Sequence, residues 1–189
     1  FSSRYAVAEM LLSGITTVLD MYYFEEVVAK VMDEMGIRGI AGETVMETDS
    51  CDSENTDQAI ERGLALIAAY KDHPRVSGTL TPHGTTTCSP ETLKRVYEED
   101  VKAGSVFTLH TAEMDYEMTQ IREQYGMTPV EFLEHIGVLG PNTLTAHTIH
   151  ATERDVEILA KHGASVAHCI ASNTKAGKGV APVSLMHKH

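Results

Sequence analysis

Three histidines and one glutamate carry the chemistry that this sequence could do. In FTLHTAEMDYE (Phe107 to Glu117), His110 stands three residues before Glu113, directly after an apolar run that reads as a strand. Two further strand-like runs also end in histidine, VSGTLTPH at His83 and TLTAH at His147. Neutral imidazole is a good zinc ligand, and a catalytic zinc keeps three protein ligands and one open position for water. A carboxylate beside such a water can take its proton and pass it to a leaving group, provided that burial raises its pKa toward neutrality. The same residues have plainer uses. A strand histidine is often a hydrogen-bonded core residue, and a glutamate at a helix start is favoured by the helix dipole. HxxE by itself favours the plainer reading, whereas three histidines at equivalent strand ends favour a site.

Holding such groups together requires a regular scaffold, and the chain has the rhythm of one. ITTVLDMYY is β-branched and apolar, and FEEVVAKVMDEMG follows with apolar positions at helical spacing and a glycine stop. The alternation recurs through RGIAGETVM, RVSGTLTPH, SVFTLHTAE, NTLTAHTIH and ASVAHC, each followed by a helical or mixed segment, so six strands alternate with helices. Ser89 before Pro90 and Glu91, and Thr152 three residues before Asp155, are helix N-caps. FSSRYAVAEMLLSG reads as an amphipathic helix closed by Gly14, and VSLMHKH as the start of another. Strict alternation predicts a parallel α/β sheet, either doubly wound or closed as a barrel. By period-2 alternation, Ser77, Thr79, Thr81 and His83 share one strand face, as do Thr108 with His110 and Thr143, Thr145 with His147. Strands of a doubly wound sheet are apolar on both faces, so a repeated polar face predicts a barrel interior with its chemistry at the C-terminal mouth.

Composition narrows the partners. With 15 basic and 27 acidic residues the formal charge is −12, which disfavours nucleic acid and anionic membranes and points to a small-molecule ligand. Cys51, Cys88 and Cys169 form no CxxC pair or even-numbered framework, which fits a reducing cytoplasm. No run approaches the roughly 20 apolar residues of a membrane span, and no signal-peptide pattern opens the chain. Both ends read as interruptions of longer elements, so a fragment of a longer protein is expected. P-loop, GxGxxG and HxE…PCxxC signatures are absent.

Taken in order, SGITTVLDMYYF, GIRGIAG, LTPHGTTTCSPETL, FTLHTAEMDYE and TAHTIHATERDVEILAKHGASVAHCIASNTKAGKGVAPV resemble the amidohydrolase superfamily, in the branch of methylthioadenosine/S-adenosylhomocysteine deaminases and triazine hydrolases. The matches run from about Ser13 to Val183. The resemblance implies a (β/α)8 TIM barrel, here incomplete: about six central βα units in one partial domain over residues 1–189, with the first and eighth strands missing. It also implies one divalent metal, usually zinc with iron as the alternative, held in part by His110. On the same ground Glu113 is the proton shuttle, His147 contacts the attacking water, and His83, Ser172 and Asn173 contact substrate. The implied reaction is hydrolysis of a non-peptide carbon–nitrogen bond, deamination of an aminated heteroaromatic ring such as an adenosine derivative. Chlorotriazine dehalogenation and a non-catalytic binding fragment are the alternatives, and a homo-oligomer is open. Where relatives show PHAPYT and HNPxSN, this chain has PHGTTT and HCIASN, which alters pocket contacts. The family's HxH pair and its final aspartate ligand have no counterpart in the chain. His187 and His189 are expected on a solvated helix, and His150 and His168 in packing or supporting hydrogen bonds. Cys88 is expected to pack, and Asp20 to orient its neighbours.

Overall fold

Each apolar, β-branched run forms a strand and each helical-period run a helix in the computed structural model, which describes residues 1–189. The order is α1 (Ser2–Leu12), β1 (Thr17–Tyr22), α2 (Glu25–Met35), β2 (Arg38–Val45), α3 (Thr56–Ala69), β3 (Val76–Pro82), α4 (Pro90–Ala103), β4 (Phe107–Thr111), α5 (Asp115–Tyr125), α6 (Pro129–Ile136), β5 (Thr143–His147), α7 (Glu153–His162), β6 (Ser165–Ala167), α8 (Ile170–Lys175) and α9 (Val183–Met186). All six predicted strands are present. They form two three-stranded sheets, ordered β1-β2-β3 and β4-β5-β6. The register is parallel, with Asp20 beside Ala41, Leu109 beside Thr145 and Thr145 beside Val166. The chain divides into two compact units, Phe1–Thr81 and Pro82–His189.

Helix ends follow their local chemistry. Ser89 Oγ accepts the Thr92 amide at 3.2 Å, with Pro90 at the first helical position. Thr152 and Asp155 form a reciprocal capping box on α7, as Thr128 and Glu131 do on α6. The amphipathic reading of α1 is corrected: Val7 is its one fully buried residue, while Phe1, Tyr5, Leu11 and Leu12 are exposed. Its apolar residues surround the helix instead of forming one stripe, so no single face can bury them together.

In the first unit, Ala29, Val31 and Met32 of α2 pack with Ile37, Ala41, Leu66 and Val76. The backbones of α3 and β3 approach so closely that a Cβ on Gly78 would lie 2.7 Å from the Ile67 amide nitrogen. In the second unit Phe107, Leu109, Leu93, Val96, Phe132, Leu133, Ile158 and Leu159 are buried. Each such side chain contributes roughly 1.5–3 kcal/mol on leaving water.

The strand faces differ from simple alternation in one respect. His110 pairs with Ala146, whereas His147 pairs with Thr111, so regular pleating would send the two histidines to opposite faces. Thr143 and Thr145 accordingly share a face with Phe107 and Leu109, not with Thr108 and His110. His147 nevertheless reaches His110, because β5 leaves extended geometry at its last residue: φ is 70° at His147 and 49° at Thr148.

Candidate active site

The second unit brings together the ends of β4 and β5, the loops after β3 and β4, and the segment from α8 to α9. The His83 and His110 rings lie 4.8 Å apart, and His110 stacks on His147 at 5.3 Å with 23° between planes. His147 Nε2 stands 3.3 Å from Glu113 Oε1. Four of the six expected site residues, His83, His110, Glu113 and His147, therefore form one cluster.

Backbone geometry builds that cluster. Ala112, His147 and Thr148 all have positive φ without being glycine, at a cost of order 1–3 kcal/mol each. Hydrogen bonds hold them there: the Thr148 amide donates to Thr111 O at 2.9 Å, and the His150 amide to Ala112 O at 2.9 Å. Thr148 is fully buried, and its hydroxyl donates to Thr145 Oγ1 at 3.0 Å.

Hydrogen bonds to carbonyl oxygens fix two histidine tautomers. His110 Nδ1 lies 2.7 Å from His83 O, which can only accept, so Nδ1 carries the proton and Nε2 keeps its lone pair. This is the form a metal ligand needs, with the outer nitrogen anchored. Asn173 Nδ2 donates to His168 O at 2.7 Å, which turns Oδ1 toward His147 Nδ1 at 2.6 Å. His147 is therefore also protonated on Nδ1, and its Nε2 faces Glu113. His83 is held by Thr87 Oγ1 at 3.0 Å from Nδ1, and burial and the neighbouring His110 depress its pKa.

Glu113 corrects the expectation of a carboxyl raised toward neutrality. Burial does push its pKa up, but the hydrogen bond from Lys178 and the charges of His147, Lys178 and His110 outweigh it, leaving the carboxyl below its ordinary value. Lys178 Nζ donates to Glu113 Oε1, the same oxygen that faces His147. Glu117, almost completely buried, supports the loop from behind. Its Oε1 accepts from Thr85 Oγ1 at 2.7 Å and from the Ala112 amide at 3.1 Å, and its Oε2 from the Glu113 amide at 2.9 Å.

Asn173 and Ser172, both expected against substrate, are placed differently. Asn173 has no exposed surface and both its polar atoms are engaged inside the chain, while Ser172 is exposed on α8. Asn173 thus braces His147 from inside the chain. His187 and His189 are exposed, as expected. His150 lies 3.6 Å from Asp115 Oδ1, and Cys88 is buried. Lys178 and Glu117 escaped the sequence reading, although Glu117 falls four residues after Glu113, one helical turn on.

The chain holds no group of three or more His, Cys, Asp or Glu residues arranged for a metal ion. His110 is thus a single candidate ligand with two polar neighbours. A cavity of about 530 Å³ lies in the first unit and is lined by residues including Val7, Met10, Asp20, Tyr23 and Met32, none of them in the histidine cluster.

Known proteins show the same arrangement of chain. The chain is 38% identical over 177 residues to a 5-methylthioadenosine/S-adenosylhomocysteine deaminase of Aquifex aeolicus, covering 94% of this chain and 41% of that protein. It is 39% identical over 181 residues to such a deaminase of Archaeoglobus fulgidus, covering 95% and 43%. An adenosine deaminase of Xanthomonas campestris with bound zinc superposes with a TM-score of 0.95 at 28% identity, over 98% of this chain and 42% of that one. An atrazine chlorohydrolase of Arthrobacter aurescens complexed with zinc gives 0.89 at 25% identity, over 98% and 45%. The chain spans about two fifths of the length of the curated relatives it matches. These structural relatives imply a TIM-barrel-like fold, and the Amidohydrolase family profile covers residues 1–189: the chain belongs to the amidohydrolase family.

Proposed function

We propose that this chain carries the central part of the active site of a metal-dependent hydrolase that deaminates an aminated heteroaromatic ring, such as an adenosine derivative. The observation that carries this reading is Glu113 Oε1 standing 3.3 Å from His147 Nε2, beside a His110 whose tautomer leaves Nε2 open. The 38% and 39% identity to deaminases selects the reaction class. The barrel's first and eighth strands, and the remaining metal ligands, lie outside these 189 residues.

His110 fits one divalent metal through Nε2, and zinc is favoured over iron by the zinc-bound relatives. Such an ion would lower the pKa of a bound water to about 7. Glu113, held ionised, accepts a proton from the attacking water and delivers it to a ring nitrogen. His147, braced by Asn173, orients the nucleophile at the developing tetrahedral carbon. The proton of the added hydroxyl passes to the amino group, and ammonia leaves as the carbon–nitrogen bond breaks and the carbonyl forms. His83 and the exposed Ser172 face the substrate side in this reading, and the three free cysteines suit a reducing cytoplasm. No helix is long and apolar enough to cross a membrane.

Chlorotriazine hydrolysis is the second reading, favoured by the 0.89 superposition on atrazine chlorohydrolase. Incubating the full-length protein with 5-methylthioadenosine, adenosine and atrazine separates the two. Ammonia release from the nucleosides supports deamination. Chloride release from atrazine alone would transfer the assignment to dehalogenation, and neither product would defeat both.

A further inference from the structure

Lys178 is the one cation that meets the reacting carboxylate, and nothing in the motif-level reading uses it. Its position is built into the end of α8. The Lys178 amide donates to Asn173 O at 2.9 Å and the Gly177 amide to Thr174 O at 3.1 Å, the paired closure of a Schellman motif. Gly177 has a φ of 66° and Gly179 of 121°, so Lys178 sits between two residues that only glycine supplies without strain. A Cβ on Gly179 would lie 3.0 Å from Ile149 Cγ2, which packs this loop against the segment just after His147. The helix that offers Asn173 to His147 therefore also delivers Lys178 to Glu113.

On the Glu113 carboxylate the donors are distributed unequally. Lys178 Nζ donates to Oε1, His147 Nε2 stands 3.3 Å from the same oxygen, and no protein donor falls on Oε2. We propose that Lys178 is a positioning residue for the hydrolytic reaction: by occupying Oε1, it fixes the rotamer of Glu113 and reserves Oε2 as the oxygen that receives and delivers the proton. This rests on the deaminase reading of the same site. Proton delivery by a carboxylate depends on one oxygen being held within hydrogen-bond reach of both water and ring nitrogen, and Lys178 selects that oxygen without touching either. A long side chain on a rigid, glycine-flanked turn suits this use, because the anchoring is in the backbone and the reach is in the methylenes.

The test uses the full-length, zinc-loaded protein with 5-methylthioadenosine as probe. Lys178→Met is expected to lower kcat about 10- to 100-fold with KM within about 2-fold and zinc content unchanged, and Lys178→Arg to recover most of the loss. An unchanged kcat in Lys178→Met would overturn the proposal. So would a raised KM at constant kcat, which marks a substrate contact, or a loss of zinc, which marks a structural role. An activity-independent readout is the infrared carboxylate band that disappears in Glu113→Gln. It should shift in Lys178→Met and return toward its wild-type frequency in Lys178→Arg, whereas a band indifferent to both substitutions refutes the contact itself. If the band shifts but wild-type protein releases no ammonia, the contact stands while the deaminase reading, and this role within it, fall together.

Discussion

At Glu113 two opposing effects meet: burial disfavours the charged carboxylate, while Lys178 and His147 favour it, and the pairing prevails. Glu113→Gln removes the charge, and with it the proposed proton carrier, while keeping the shape. In the full-length protein it is expected to lower turnover about 10²- to 10⁴-fold with bound zinc retained, as read by steady-state kinetics beside metal analysis. Glu25, at the start of α2, shows the opposite balance. It is fully buried, and burial with the charges of Asp20 and Glu43 pushes its pKa from 4.5 up to about 9. Between those values the folded chain keeps a proton that the unfolded chain gives up. Stability from this group is therefore greatest below pH 4.5 and falls as pH rises toward about 9, by up to about 1.4 kcal/mol per pH unit. Glu43, raised to about 7 by burial and by Asp52 against the opposing pull of Arg62, bends the curve the same way. Urea melts across this range should show a flatter pH dependence for Glu25→Gln than for wild type, and parallel curves would remove Glu25 as the cause. His110 and Glu113 were legible as a pair because their spacing is local. Lys178 was not, because its contact spans 65 positions of chain and depends on how α8 ends.

Among the elements, strands and helices were readable because each has a period of its own: β-branched runs such as ITTVLD, then apolar positions at helical spacing closed by a glycine. Register was not readable. Alternation within TLTAH says which residues share a face, but only pairing with β4 reveals that His147 and His110 begin on opposite sides and are reunited by a left-handed turn at the strand end. The close contact of α3 with β3 was likewise invisible, since a glycine in RVSGTLT reads only as a weak strand residue. A methyl group on Gly78 would meet the backbone of Leu66 and Ile67 at 2.7 Å, and backbone cannot rotate away. Gly78→Ala is expected to cost about 1–3 kcal/mol, visible as a lower urea midpoint at unchanged slope. At the joint of α6 and α7, the Thr128 hydroxyl donates to the buried Asp155 that also caps α7. Thr128→Ala therefore loses a cap and leaves a buried acceptor short, for about 1–2 kcal/mol by the same measurement.

For the molecule as a whole, the net charge of −12 accompanies a cluster whose own groups are mostly imidazoles, and it disfavours approach of polyanions such as nucleic acid. Metal affinity belongs to this scale as well, because the chain assembles no group of three metal-ligating side chains, and one anchored histidine would hold zinc weakly. Residues 1–189 alone should bind zinc weakly in a calorimetric titration, and in the full-length protein His110→Ala should strip it. Tight, stoichiometric binding that survives His110→Ala would remove His110 from the metal site. The family was legible in the ordered motifs, whereas the contacts of Asn173 with His147 and His168 were not, since they depend on how α8 folds back on β5. Glu117 carries a lesson for anyone transplanting this chemistry. Its carboxylate takes the amides of Ala112 and Glu113 and the hydroxyl of Thr85, so the bend that presents Glu113 is set one helical turn downstream and by a neighbouring loop. A graft of His110 through Glu113 into another barrel would arrive without its template. The portable unit is HxxExxxE together with a hydroxyl on the preceding loop, and a designer who copies only the first half should expect a glutamate in the right place with the wrong aim.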